Sequence, residues 1–197
     1  MTDPKHHAAP PAPQAVLTDL RTLDGAVYAA VAGTPTPALD SALRRLSRAA
    51  DHSKISLAVA ALLALVPGRP RQAAAAGVGA VALASVTANL VGKQLVRRPR
   101  PDREQARVVV GRQVPMPESA SFPSGHMASA TAFATAVGVL LPPMAVPLGA
   151  VAAAVGYSRV HTGVHYPGDV AAGALLGFAA AVASLAVVRT LPPSLPA

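Results

Sequence analysis

Runs without a charged side chain cover residues 55–68, 72–92, 119–158 and 170–188. The second and fourth are about as long as a helix must be to cross the hydrocarbon core of a bilayer. The third is too long for one crossing, but Pro142, Pro143 and Pro147 divide it into an outgoing and a returning helix. The first is short and can extend backwards through Ser53 and Lys54, with the lysine stem lying along apolar surface. The pattern predicts five apolar helices. Upstream, apolar residues recur around Asp19, Arg21 and Asp24 from Val16 to Ala32, the period of an amphipathic helix. A second such helix, Ala38 to Ala50, carries Arg44, Arg45 and Arg48 and suits a membrane surface.

The expected organisation follows from this pattern. Residues 1–15 form a flexible tail without the apolar core of a secretory signal, so no cleavage is expected. His6 and His7 read there as solvated side chains and not as metal ligands. Residues 16–51 supply amphipathic helices at or in the interface, 52–190 the membrane core, and 191–197 a C-terminal tail. No internal repeat or second domain shows. The fold class is all-α, an integral membrane bundle of about five or six helices. Gly77, Ala80, Gly173 and Gly177 would let helices pack closely in lipid, although they would do so in a soluble core as well.

Composition narrows the chemistry. Hydrophobic residues make up 52% and charged residues 13%, which excludes overall disorder. Cysteine is absent, which removes disulfides and thiolate nucleophiles and leaves the redox compartment open. The net charge of +8 is concentrated: Lys93, Arg97, Arg98, Arg100, Arg103, Arg107 and Arg112 are opposed locally only by Asp102 and Glu104. Nucleic acid is not expected as a partner, because this cluster lacks interleaved aromatics and lies between apolar helices.

Three stretches combine groups able to handle a tetrahedral anion. Lys93 through Arg100-Pro101 offers a compact ammonium and a planar guanidinium fork, with prolines that stop the helix. Ser121-Phe-Pro-Ser-Gly-His126 precedes an apolar helix, with Ser124 placed as its N-cap and free amides behind it. Ser158-Arg159 through His161, His165 and Asp169 sets ionisable groups between two apolar helices, a functional candidate by default. Pro167 and Gly168 break regular helix there, so His165 and Asp169 need not keep helical spacing; their closeness would still let the carboxylate fix an imidazole tautomer.

Together these stretches resemble the type-2 phosphatidic acid phosphatase superfamily, whose pattern is KxxxxxxRP, then PSGH, then SRxxxxxHxxxD. Lys93, Arg100, Pro101, Pro123, Ser124, Gly125, His126, Ser158, Arg159, His165 and Asp169 meet every fixed position. Arg98-Pro99 gives the wrong spacing from Lys93, so lysine replacement at Arg97 or Arg98 is expected to be milder than at Arg100. The resemblance covers about residues 55–189, and the N-terminal quarter adds little to it. It implies that His165 attacks phosphorus, Asp169 orients it, and His126 protonates the leaving oxygen. It also implies that Lys93, Arg100, Arg159, Ser124 and the Gly125 amide hold the phosphate oxygens. No metal or other cofactor is expected; His161 with His165 forms an HxxxH pair, but His161 reads as a second-layer or substrate-facing residue. Glu118, Arg107 and Arg112 are treated as loop residues that do not touch a head group.

The expected activity is hydrolysis of a phosphate monoester or diphosphate on a lipid, such as phosphatidic acid, phosphatidylglycerol phosphate or a prenyl diphosphate, through a phosphohistidine. The alternatives are a soluble acid phosphatase or haloperoxidase-like enzyme on the same site, which membrane fractionation would reveal, and a non-enzymatic protein binding anionic lipid, which would release no phosphate. The composition fits a bacterial plasma membrane protein with several crossings and the site at one membrane face. Counting basic residues favours the cytoplasmic side, whereas the family resemblance favours the outer one.

Overall fold

The computed structural model describes residues 12–190, and the expected tail before Ala12 and the segment 191–197 lie outside the described residues. The elements are helical throughout: α1 Ala12–Gly33, α2 Pro37–Ala49, α3 Lys54–Ala64, α4 Arg69–Val86, α5 Lys93–Leu95, α6 Gly125–Leu140, α7 Ala145–His161 and α8 Pro167–Thr190. A π turn at Thr87–Gly92 joins α4 to α5, so Arg69–Leu95 forms one apolar rod. That rod and α8 are long and apolar enough to cross a membrane. Helix α6 is apolar but shorter. Helices α3, α4, α6, α7 and α8 lie on the expected tracts, and two of these tracts carry helices long and apolar enough to cross a membrane. Helix α1 begins inside the segment expected as a tail, and α3 does not extend back past Lys54, because Ser53 is left-handed.

Small side chains explain the close packing. Ala76, Ala80, Ala84 and Ala88 on the first rod face Ala128, Ala132 and Ala136 on α6 and Ala180 and Ala181 on α8. Four-residue spacing puts each set on one helix face. Helix α8 approaches α6 so closely that a Cβ at Gly173 would sit 2.5 Å from the Ser124 carbonyl oxygen, and one at Gly177 would strike that of Ala128. Phe133 and Val137 fill the remaining space beside Gly77. Two hydroxyl contacts link the helices: Ser85 Oγ lies 3.0 Å from Ser129 Oγ, and Ser184 Oγ donates to the Ala76 carbonyl.

The large apolar side chains point the other way. Leu62, Leu65, Leu83, Val86, Leu90, Leu175, Phe178 and Val187 are all exposed. A bundle with alanine inside and leucine outside suits a hydrocarbon surround, where burial in water is not the force holding helices together. The soluble alternative has no use for such a surface.

Chain direction then gathers the charged stretches. Lys93 ends the first rod, His126 begins α6, Arg159 lies in the last turn of α7 and Asp169 in the first turn of α8. All four therefore meet at one end of the bundle. We expect Gly177→Val to lower stability by about 1–3 kcal/mol through overpacking, seen as an earlier thermal transition in detergent. Gly149→Ala, with open space around its Cβ position, should leave the transition unchanged or slightly later; equal losses at both positions would contradict this packing.

Candidate active site

Local structure places each group. The π turn ahead of Lys93 is a common way to re-aim a residue near a functional site, and it brings Gly92 against the Pro123 ring. Beyond Leu95 the chain runs extended through the two prolines, and Arg100 turns back across the end of the bundle. Its Nε donates to the Ser119 carbonyl at 2.9 Å and its Nη1 to the Val164 carbonyl at 2.8 Å. Lys93 Nζ donates to Ser119 Oγ at 3.1 Å, so both cations are tied to the same loop.

Helix α7 ends at His161, and Gly163, at φ 73°, supplies the left-handed residue that closes it. The amides of Val164 and His165 then bond back to the Arg159 carbonyl. Pro167 does not break a helix, as the sequence suggested; it starts one, because its missing N–H is no loss in a first turn. His165 lies in the bend before this helix and so outside helical spacing, as expected, yet its Nδ1 comes within 3.5 Å of Asp169 Oδ2.

Asp169 is fully buried and multiply bonded. Ser121 Oγ and the Tyr166 amide donate to Oδ2, and Arg98 donates to Oδ1 at 3.0 Å. Its own carbonyl accepts from the Ser124 amide at 2.9 Å, locking the second stretch to the third. With Oδ2 facing Nδ1, the imidazole proton belongs on Nδ1 and the lone pair on Nε2. Nε2 lies 3.4 Å from Arg100 Nη1. Burial pushes the His165 imidazole down to about 4 despite the pull of Asp169, so the ring is neutral at pH 7.

A cavity of about 420 Å³ opens over these groups, lined by Lys93, Arg100, Gly125, His126, Arg159 and His165. Ser124 occupies the expected N-cap position of α6, yet its hydroxyl makes no capping bond and is buried without a partner. Arg159 donates through Nη1 to the buried Ser47 Oγ at 2.6 Å, while its Nε is buried without a partner. His126 Nε2 lies 2.8 Å from Asp51 Oδ1. Asp51 opens a short turn whose next two residues, His52 and Ser53, both have φ near +55° (55° and 57°), a conformation costing about 1–2 kcal/mol per residue.

The expected set of Lys93, Arg100, Ser124, Gly125, His126, Arg159, His165 and Asp169 thus comes together at one place. Two side reads need correcting. His161 does not face the site: it is buried against α2, with Nε2 2.9 Å from Thr36 Oγ1 and 3.3 Å from Asp40 Oδ1. Arg112 is no solvated loop residue but is buried, pairing with Asp40 at 2.8 Å and donating to the Val31, Ala32 and Thr34 carbonyls that end α1. Among the described residues, no three His, Asp or Glu side chains gather as a metal site would require.

Several contributors went unread in the sequence. Arg98, set aside on spacing, bridges Asp169 and Asp24 and stacks 4.0 Å over the Tyr166 ring. Ser121, Ser47 and Asp51 also touch site residues. Nothing in motif spacing could find Ser47 or Asp51, because both come from segments far upstream.

Comparison with known proteins identifies the family and the fold. The family model of the PAP2 superfamily matches residues 73–192. A decaprenylphosphoryl-5-phosphoribose phosphatase of Mycobacterium tuberculosis is 39% identical over 152 residues, covering 72% of this chain and 76% of that protein. The fold is shared with Aquifex aeolicus LpxE, at TM-score 0.69 and 24% identity over 81% of this chain and 93% of that one. It is shared as well with a transmembrane PAP2 type phosphatidylglycerolphosphate phosphatase of Bacillus subtilis, at TM-score 0.69 and 20% identity over 89% of each. A match over more than half its length, together with a relative of such identity, makes this chain a member of the PAP2 superfamily and a phosphoric ester hydrolase.

Proposed function

We propose that this protein hydrolyses a phosphate monoester carried by a membrane lipid, with a prenylphosphoryl pentose phosphate as the first candidate substrate. The observation that carries the proposal is the cluster of donors around a neutral His165. Lys93, Arg100 and Arg159 line the cavity, and Ser124 Oγ and Arg159 Nε hold unspent hydrogen-bonding capacity beside it. Buried donors without partners are rare, and an oxyanion satisfies several at once.

The chemistry follows from the bonds already described. His165 Nε2 attacks phosphorus while the P–O bond to the lipid-linked alcohol breaks, and Asp169 accepts the Nδ1 proton's hydrogen bond as positive charge grows on the ring. Lys93, Arg100, Arg159, Ser124 and the Gly125 amide hold the equatorial oxygens. His126 gives a proton to the departing oxygen, then removes one from the water that cleaves the phosphohistidine and releases phosphate.

Lipid chemistry rests on a second feature. A narrow apolar crevice lined by Ile55, Val59, Phe133, Leu148 and Val155 meets the catalytic cavity at His126 and Ser129. The relative that acts on a decaprenyl-linked phosphoribose supports the prenyl class. We place the apolar helices across the bilayer in several passes, α1 and α2 at its interface, and the site at the outer face of a bacterial plasma membrane.

Detergent-purified protein should release phosphate from farnesylphosphoryl ribose 5-phosphate faster than from phosphatidic acid, phosphatidylglycerol phosphate or undecaprenyl diphosphate. Turnover should survive EDTA and be blocked by vanadate, which can adopt the trigonal-bipyramidal form. A protein inert across this panel would remove the enzymatic proposal.

The two histidines should separate by leaving group. His126→Ala should lose about 10²–10⁴-fold on the lipid substrate but far less on nitrophenyl phosphate, whose phenolate departs unprotonated. His165→Ala should be inactive on both. Equal losses at His126 on the two substrates would refute its acid role.

Arg100→Lys should be poorly tolerated, since lysine cannot reproduce a fork that spans the loop carbonyls and a phosphate oxygen. The geometry also revises the expectation for Arg98: lysine cannot bridge Asp24 and Asp169 together, so Arg98→Lys should impair turnover well beyond Arg97→Lys. Comparable activity in the two variants would show that the Asp169 contact is dispensable.

A further inference from the structure

His126 does not stand alone at the mouth of α6. Its Nε2 lies 2.8 Å from Asp51 Oδ1, while its Nδ1 bonds no described residue and the side chain lines the cavity. Asp51 comes from the turn between α2 and α3, upstream of the 73–192 family match and outside the motif residues. We infer that Asp51 is a positioning residue for the acid histidine, a second carboxylate–imidazole pair that complements His165–Asp169. The inference rests on the proposed hydrolase reading of the site.

Three observations support it. First, an acceptor on Nε2 fixes how the ring is turned, and it leaves Nδ1 as the nitrogen that faces the cavity. With Nε2–H kept on Asp51 throughout, Nδ1 gives the departing oxygen a proton that it takes up from the bound phosphate monoester's own hydroxyl. Second, the charged groups around His126 are otherwise cationic: Lys93 on α5, Arg100 in the following loop and Arg159 on α7, with the neutral His165 beyond. Asp51 is the nearby anion that a protonated imidazole can pair with, because Asp169 is already committed to Ser121, Arg98 and His165. Third, two successive left-handed residues, His52 and Ser53, shape the turn that starts with Asp51. Strained non-glycine backbone of this kind persists where surrounding structure holds it, and it clusters at functional sites.

The test is a mutant cycle on two substrates. Asp51→Asn should lose about 10–100-fold in kcat on farnesylphosphoryl ribose 5-phosphate, the range seen when an orienting outer partner is removed from a histidine. On nitrophenyl phosphate the loss should shrink to about threefold or less, because that leaving group needs little proton donation. Asp51→Glu, which restores a carboxylate, should recover activity above the Asn variant. In the His126→Ala background, adding Asp51→Asn should change turnover by no more than about twofold, since a residue acting through His126 has nothing left to act on. Asp51 is 40% exposed, so none of these changes buries a new group.

An Asn variant with wild-type kcat on the lipid substrate, or losses that multiply fully in the double variant, would overturn the role of Asp51 and leave the hydrolase reading intact. A loss of the same size on both substrates would likewise overturn it, as the mark of a structural effect. Wild-type protein that releases phosphate from neither substrate would overturn the reading on which the inference depends, and the inference with it.

Discussion

A carboxylate with no access to solvent must be met by donors on every side, and Asp169 is the place where this protein satisfies that requirement. Breaking such an arrangement by removing one partner costs about 3–5 kcal/mol. The donors come from all three charged stretches: Arg98 from the first, Ser121 from the second, and Tyr166 and His165 from the third. A single buried anion thus fixes the relative position of segments that lie far apart in sequence. The same contacts orient His165, so the interaction that assembles the end of the bundle also sets the imidazole that lines the cavity.

The rest of the bundle serves that end by being stiff and thin. Alanine and glycine faces bring α4, α6 and α8 close enough for backbone to meet side-chain-free surface, and little lateral play remains. Gly173 shows the connection: its contact is the carbonyl of Ser124, the residue that begins the second motif. Packing in the apolar interior and geometry at the polar end are therefore one problem. Phe133, Leu148 and Leu185 fit inside where glycine or alanine leaves room, and many of the other leucines, with Phe178, are left to the outer face.

Much of this was legible in sequence because the informative patterns are local. Charge-free tracts and prolines mark the apolar helices, and motif spacing alone distinguishes Arg100 from Arg98 as the arginine nearest His165. What escaped depends on non-local contact. The π turn before Lys93 has no distinctive composition, and the sequence cannot show that Pro167 begins a helix while Pro101 follows one. His161 read as a second-layer or substrate-facing residue and Arg112 as an exposed loop residue, yet both turn towards Asp40 on α2. Hydrophobic periodicity placed α2 correctly to within a residue at each end, but it could not say which of its polar groups would be buried.

The largest departure concerns the N-terminal quarter, which motif reasoning set aside. Asp24 on α1 pairs with Arg98 and accepts the Gly168 amide; Ser47 on α2 holds Arg159; Asp51 holds His126. Each of these contacts a residue that itself touches the cavity or the buried aspartate, and none lines up with a family motif. The physical reason is that arginines and histidines at the end of a narrow bundle cannot find enough partners within it. Alanine and glycine faces offer no side-chain acceptors, and backbone carbonyls inside helices are already spent. Acceptors must be brought in from outside, and an amphipathic segment laid across that end can supply them. In this chain the cavity-lining cations and histidines belong largely to the apolar helices and their loops, while Asp24 on α1, Ser47 on α2 and Asp51 in the turn after it supply partners for Arg98, Arg159 and His126.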